Sequence, residues 1–439
     1  MLRGALIMRF DFAKAGSGLT YEIRNIVQIA TRLQEYGVEI KWENIGDPVA
    51  KGEKIPCWMK ETLKKVLDDN NSYAYSPTKG VDATREYLAN KNNALKGAQI
   101  TKDDIIFFNG LGDAVARTYA SMQVDGRVIL PEPTYSTHFM AEVLHASFPP
   151  NTFRLDPANN WKPDLAELER KVRHANSIVG IMLVNPDNPT GYVYTEHELR
   201  EITRIAKEND LFLLFDEIYH NIIYNGKSTP LLAEIIGDVP GISMKSLSKE
   251  VPWPGGRCGW MEVYNAGKDV AFDRFITAIY QQKMAEVCSA TFPQAALPLI
   301  LEHPNFAGYR EERVRYYENL SRIAADELSK SPYLYTNRAD GAFYMTVVFK
   351  DGALKNNQIL PVKENAMKDY VESMLSEKTE LDKRFVYYLL ASTGICVVPL
   401  TSFFAPINGF RMTLLEKDEK KFISIVQKIR EAVDQYVES

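Results

Sequence analysis

Ser246-Leu-Ser-Lys249-Glu-Val-Pro-Trp-Pro-Gly-Gly-Arg257-Cys-Gly259 sets one lysine three residues after a serine and eight before an arginine, in a segment rich in Gly and Pro. Apolar runs at Ile242–Ser246 and Gly259–Val263 flank it, so the stretch reads as strand, loop and strand. Taken singly, a loop lysine is usually a solvated one. A lysine that bonds an aldehyde carbon beside a phosphate needs this setting. Burial and neighbouring cations make its amine nucleophilic, and arginine offers a planar fork for phosphate.

Outward from this stretch, short apolar runs alternate with amphipathic segments. Strands are expected at Ile105–Phe108, Val128–Leu130, Ile178–Val184 and Leu211–Phe215, and helices at 112–122, 135–145, 163–174, 195–208 and 267–286. Continuous apolar strands between helices predict an α/β fold with a mostly parallel sheet covered on both faces. Upstream lie a helix at 21–37, a strand at Glu39–Asn44, and helices at 56–69 and 81–94. After about residue 305, charged helical stretches at 306–329, 364–378 and 417–437 surround strands at 342–349, 395–398 and 410–414, a separate and smaller α+β unit. The expected division is 1–50 (an N-terminal arm and helix, part of the small domain), 51–308 (large) and 309–439 (small).

Bulk properties narrow the function classes. At 439 residues, with 45% hydrophobic and 25% charged residues, the composition is that of an ordinary globular protein. A net charge of −5 gives no footprint for nucleic acid and no polybasic membrane arm. The longest apolar run, Ile178 to Val184, is far short of a membrane span. Residues 1–8 read as a leading arm, with Met8 as an alternative start, and not as a secretory signal. Cys57, Cys258, Cys288 and Cys396 show no pairing pattern, which fits a cytoplasmic protein. No histidines stand at helical ligand spacing, so no metal site is expected.

In an open parallel sheet, ligands sit beyond the carboxyl ends of the strands. Three further clusters fall at such ends. Asn109-Gly110-Leu111-Gly112-Asp113-Ala114 opens a helix, where free N–H groups cradle a phosphate. A plain turn is one rival. A dinucleotide fingerprint with Glu132 as its acid is the other, but Val115 stands where the third glycine belongs. Asn185-Pro-Asp-Asn188-Pro-Thr-Gly191 reads as a tight turn, even a cis one, either bare or aiming Asn188 at a ligand. Asp216 ends an apolar strand, where it either caps the following segment or pairs with a protonated ring nitrogen, with Tyr219 turned back toward the same ring. Together the four clusters match a pyridine aldehyde phosphate.

Asn188-Pro-Thr-Gly191, Asp216-x-x-Tyr219, Ser246-x-x-Lys249 and Arg257 stand in the order and spacing of the class I/II aminotransferases, and the chain from about residue 20 onward resembles that family. The resemblance implies pyridoxal 5'-phosphate, the fold type I architecture and an aminotransferase activity on an amino acid and a 2-oxo acid. It implies that Lys249 is the covalent and proton-carrying lysine, with Asp216 on the ring nitrogen and Asn188 and Tyr219 on the ring hydroxyl. Ser246, Arg257 and the backbone of Leu111, Gly112 and Asp113 hold the phosphate, and Tyr135 stacks on the ring. Tyr75 sits where a neighbouring subunit reaches the phosphate, implying a homodimer. Gly46 and Arg411 match the positions that hold the substrate carboxylate, with Asn188 beside them.

Thr393–Pro399, Phe410-Arg-Met-Thr413 and Tyr21-Glu-Ile-Arg24 before Asn44-Ile-Gly-Asp-Pro48 resemble the alanine aminotransferases more than the aspartate type. In that group the N-terminal pair approaches the substrate, so Tyr21 and Arg24 are candidates; the plain reading is a helix start. The expected reaction moves the amino group of an alanine-like amino acid to 2-oxoglutarate by a ping-pong cycle. The alternatives are an aspartate or aromatic aminotransferase, or a lyase or decarboxylase on the same cofactor, since an electron sink does not choose which bond breaks. A gene regulator built on this fold would need a DNA-binding module, for which the residues before the matching region are too few. Leu400, Pro252-Trp253-Pro254 and residues 350–383 depart from the family pattern close to where the substrate pocket is expected.

Overall fold

The computed structural model describes residues 22–439, with side chains from residue 25 onward; Tyr21 and the side chain of Arg24 lie outside the described residues. The strands in chain order are β1 (Lys41–Trp42), β2 (Ile105–Phe108), β3 (Arg127–Glu132), β4 (Thr152–Asp156), β5 (Lys162–Pro163), β6 (Ile178–Val184), β7 (Phe212–Asp216), β8 (Gly241–Ser246), β9 (Gly259–Tyr264), β10 (Leu334–Thr336), β11 (Tyr344–Phe349), β12 (Ile395–Cys396), β13 (Val398–Pro399) and β14 (Gly409–Thr413).

Strands β2 to β9 make one sheet in the order β2-β9-β8-β7-β6-β3-β4-β5. From β8 through β7, β6 and β3 to β4 the pairing is parallel, while β9 runs antiparallel to both β8 and β2. The apolar runs are explained by burial on two faces. Ile106, Met182 and Leu214 point into one core with Val115 and Tyr119 of helix Leu111–Ala120. Their neighbours Phe107, Ile181 and Leu213 point into another, with Leu199 and Ile202 of helix Glu196–Glu208. Period-two alternation between two apolar layers leaves no polar face for the sequence to display. Thr195 and Glu198 form the reciprocal cap that starts helix Glu196–Glu208.

Strands β10, β11, β14 and β13 form a smaller antiparallel sheet, packed by helices Phe306–Leu328, Leu381–Thr393 and Glu419–Glu438. The N-terminal segment joins this unit. β1 pairs with β12, and Thr413 donates both its N–H and its hydroxyl to Glu43, each at 2.9 Å. Lys51 Nζ lies 2.8 Å from the other Glu43 oxygen, so a fully buried carboxylate is paired on both sides. Among the described residues no single helix is long and apolar enough to cross a membrane.

Several elements differ from the expected ones. The strand expected at Glu39–Asn44 shrinks to the two residues of β1, and the single strand expected at 395–398 divides between β12 and β13, which join different sheets. Helix Leu381–Thr393 was not expected because Phe385 to Ala391 are all buried, so no polar stripe marks a helical period. Helix Thr291–Leu301 hides behind Pro298, a residue that argues against a helix interior.

The turn after β6 carries a cis Asn185–Pro186 bond. Asp187 organises it: Oδ2 accepts from Thr190 N at 3.1 Å and Thr190 Oγ1 at 2.5 Å, while Oδ1 has no partner among the described residues. Full burial raises the Asp187 carboxyl to about 7, against the pull of the Thr190 hydrogen bonds. Between its ordinary value of 3.8 and about 7 the folded protein therefore keeps a proton that the unfolded chain has lost. Stability falls as pH rises through that window. Asp187→Asn removes this slope. In denaturant titrations it is expected to be more stable than the parent above neutral pH, by roughly 2–4 kcal/mol, with the difference closing near pH 4; parallel pH profiles would refute the assignment.

Candidate active site

The carboxyl ends of β2, β3, β6, β7 and β8 open on one side of the sheet. Gly259 at the start of the antiparallel strand pairs with Phe108 on one side and Ser246 on the other, so residues just before β9 share that side. There a cavity of about 690 Å³ is lined by Leu111, Gly112, Tyr135, Asn188, Asp216, Tyr219, Ser248, Lys249 and Arg257. Eight of these nine were singled out in the sequence; Ser248 was not.

At one end, helix Leu111–Ala120 starts after Gly110, whose φ of 87° favours glycine. A Cβ on Gly110 would sit 2.2 Å from Arg257 Nη2, and one on Gly112 would meet nothing within 4 Å. The N–H groups of Leu111 and Gly112 precede the first backbone hydrogen bond of the helix, whereas Asp113 N donates to Gly110 O at 3.2 Å. Arg257 Nη2 donates to Asn109 O at 3.2 Å, and its backbone takes a left-handed φ of 46°. Ser246 Oγ donates to Cys258 O at 2.8 Å and lies 2.9 Å from Ser248 Oγ. The Asp113 carboxylate accepts from Asn109 N at 3.1 Å and pairs with Arg117 at 2.8 Å, its N–H is taken by Gly110 O, and it does not line the cavity.

At the centre, Asp216 is 4% exposed, and its Oδ2 accepts from His138 Nε2 at 3.3 Å. His138 is fully buried, and its Nδ1 has no partner among the described residues. Sequence reading missed it. The available signal was its place three residues after Tyr135, which puts both on one helix face. Burial, with Tyr344 beside it, holds the Tyr219 hydroxyl protonated well above its ordinary value. That hydroxyl donates to Tyr344 Oη at 3.3 Å.

At the other end, Lys249 Nζ donates to Gly46 O at 2.6 Å. A Cβ on Gly46 would fall 1.8 Å from the Tyr344 hydroxyl, so only glycine fits. Arg411 is 2% exposed, with its guanidinium carbon 4.5 Å from the Tyr344 ring centre and 5.0 Å from that of Phe403. It donates to Asn44 O at 2.6 Å and Asn188 Oδ1 at 3.4 Å, and its Nε has no hydrogen-bond partner among the described residues. Tyr344 and Phe403 were not singled out in the sequence, where they read as core aromatics.

Not every candidate is brought here. Tyr75 is 85% exposed and does not line the cavity. Of the sequence departures, Pro254 lines the cavity, while Trp253 packs on Phe292 at 5.9 Å. Leu400 is fully buried and residues 350–383 contribute nothing to the lining.

The chain matches the family model described as aminotransferase class I and II over residues 43–429. It is 51% identical to an uncharacterised aminotransferase of Methanocaldococcus jannaschii, over 96% of this chain and 97% of that protein. A more distant relative, the mitochondrial alanine aminotransferase 2 of Arabidopsis thaliana, is 27% identical over 91% of this chain and 82% of its own. Among solved structures, the alanine aminotransferase of Pyrococcus furiosus superimposes with a TM-score of 0.82, at 24% identity, over 96% of this chain and all of that one, a likeness of fold. The expected fold type I architecture is therefore present, and the protein belongs to the class I and II aminotransferases.

Proposed function

We propose that the chain transfers the amino group of a small, alanine-like L-amino acid to a 2-oxo acid, with 2-oxoglutarate as partner acid, by a ping-pong cycle on pyridoxal 5'-phosphate. The observation that carries this reading is the meeting of Lys249, Asp216, Asn188 and Arg257 on one cavity, with Arg411 one hydrogen bond away from Asn188. The alanine assignment is supported by the names of the distant Arabidopsis relative and the Pyrococcus structure.

The residues fit that cofactor by type. Arg257, Ser246, Ser248 and the N–H groups of Leu111 and Gly112 suit a phosphate, and the open space over Gly112 admits one. Asp216, an acceptor buried beside His138, suits a protonated ring nitrogen. Tyr219 and the Asn188 NH2, whose Oδ1 is taken by Arg411, suit a phenolic oxygen, and Tyr135 lies where it can cover a ring face. Bound there, pyridoxal phosphate would supply an electron sink for the pair left when an α-proton departs.

The chain's own residues do the rest. Asp216 holds the ring-nitrogen proton, and His138 keeps its carboxylate in place. Lys249 Nζ would hold the cofactor and, once free, would carry the α-proton as general base and acid. Arg411 binds the α-carboxylate with a fork held against two rings, and Gly46 borders it. We place a second copy of the chain across the face that bears the exposed Tyr75, giving a homodimer with shared sites. We divide the chain at 50/51 and 308/309, although helix Phe306–Leu328 runs on through the second boundary.

L-alanine is expected to bleach the visible absorbance of the pyridoxal phosphate-loaded protein, and a 2-oxo acid to restore it. Screening Asp, Glu, Tyr and Leu alongside identifies the donor; no bleaching with any of them refutes a transaminase, and ammonia or carbon dioxide release indicates a lyase. Lys249→Ala is expected to lose the lysine-linked chromophore and keep the parent unfolding midpoint; an unchanged spectrum removes Lys249 from its role. Arg411→Lys, which loses the fork, should raise KM for the amino acid roughly 10- to 100-fold, the scale of a charged hydrogen bond worth about 1.5–3 kcal/mol.

A further inference from the structure

Lys249 is held at two points, its amine and its carbonyl. Its amine rests on Gly46 O, while its own carbonyl accepts from Arg313 Nη2 at 3.1 Å. Arg313 Nη1 donates to the next carbonyl, that of Glu250, at 2.5 Å. One guanidinium thus grips two successive carbonyls, and a planar fork fixes the orientation of the Lys249–Glu250 peptide as a single-point donor could not.

Arg313 is itself fixed on every side. It is 5% exposed, lies between the rings of Tyr309 (5.6 Å) and Tyr317 (5.5 Å), and donates to Tyr317 Oη at 2.9 Å. Glu53 Oε1 stands 2.6 Å from its Nε as an ion pair without a hydrogen bond to that nitrogen, and Glu53 also accepts from Tyr309 Oη at 2.6 Å and pairs with Lys417 at 3.1 Å. Burying a charge this deeply is costly unless it is paired and bonded. A plain structural arginine would gain most by bonding to helix ends or solvent. This one spends its donors on the backbone of the lysine that the proposed mechanism moves.

Its anchors connect the lysine to the rest of the site. Glu53 belongs to the segment that also supplies Asn44 O to Arg411 and Gly46 O to Lys249. The far half of helix Phe306–Leu328 packs in the core around the smaller sheet through Leu320 and Ala324. We propose that Arg313, oriented by Glu53, is a positioning residue that sets the reach of the Lys249 amine; this rests on the role proposed for Lys249.

The test compares Arg313→Met, Arg313→Lys and Glu53→Gln with the parent, all loaded with pyridoxal phosphate. Three properties are read: the pH titration of the lysine-linked chromophore, the kinetic isotope effect with α-deuterated amino acid, and kcat against KM. A misplaced amine should cost Arg313→Met up to about 100-fold in kcat, with KM little changed, a larger isotope effect and a displaced chromophore titration. Arg313→Lys, which keeps the charge but not the fork, and Glu53→Gln should show smaller changes in the same direction. Should Arg313→Met fail to fold, these two carry the test. Variants that lower only the unfolding midpoint, with parental titration and isotope effect, overturn the positioning role alone. A parent protein that forms no lysine-linked chromophore overturns both this role and the reading of the site.

Discussion

The register of β9 is the constraint on which the site depends. Gly259 faces Phe108 on one neighbour and Ser246 on the other, and a Cβ there would come within 2.9 Å of Leu111 N. That one placement sets Arg257 against Gly110, brings the amino end of helix Leu111–Ala120 beside the lysine loop, and joins three segments that the sequence separates widely. Because side chains alternate along a strand, a slip of one residue would exchange the two faces of β9. It would send Trp260 and Met261 into the wrong cores, so hydrophobic burial enforces the register that the polar residues need.

Much of this was legible in the sequence because two signals coincide there. Apolar runs of three to seven residues mark six of the eight strands of the large sheet, all but β4 and β5 at its edge, and their polar successors mark the side where the candidate site lies. Lys249, Asp216, Asn188 and Arg257 could be singled out from residue type at a strand end, before any geometry. The smaller unit was less legible. Its helix Leu381–Thr393 is buried all round from Phe385 to Ala391, and β12 and β13 divide a run that looks like one strand. Patterns report which face is wet, and these elements have almost none.

The residues that escaped notice share a different reason. His138, Tyr344, Phe403 and Arg313 act on other side chains or on backbone: Tyr344 and Phe403 read as core aromatics, Arg313 as one charge among many on a charged helix, and only the spacing of His138 from Tyr135 offered a signal. Tyr344 serves three neighbours at once: it meets the Tyr219 hydroxyl, packs against the Arg411 guanidinium and excludes any side chain at Gly46. Such relations exist only after β11 and β14 have paired and the N-terminal segment has joined them.

That last joining has a consequence for how the molecule is made. Every strand of the large sheet lies between residues 105 and 264, whereas Glu43 must wait for its partner Thr413. A chain emerging from the ribosome can complete the large sheet, and with it the residues proposed to hold the cofactor, while the last strand of the smaller sheet is still unsynthesised. Asn44 and Gly46 are among the first described residues to emerge and among the last to reach their places, because Arg411, which donates to the Asn44 carbonyl, is made near the end of the chain. The end of the site proposed to hold the substrate is therefore a closure of the chain upon itself, formed only when synthesis is almost done.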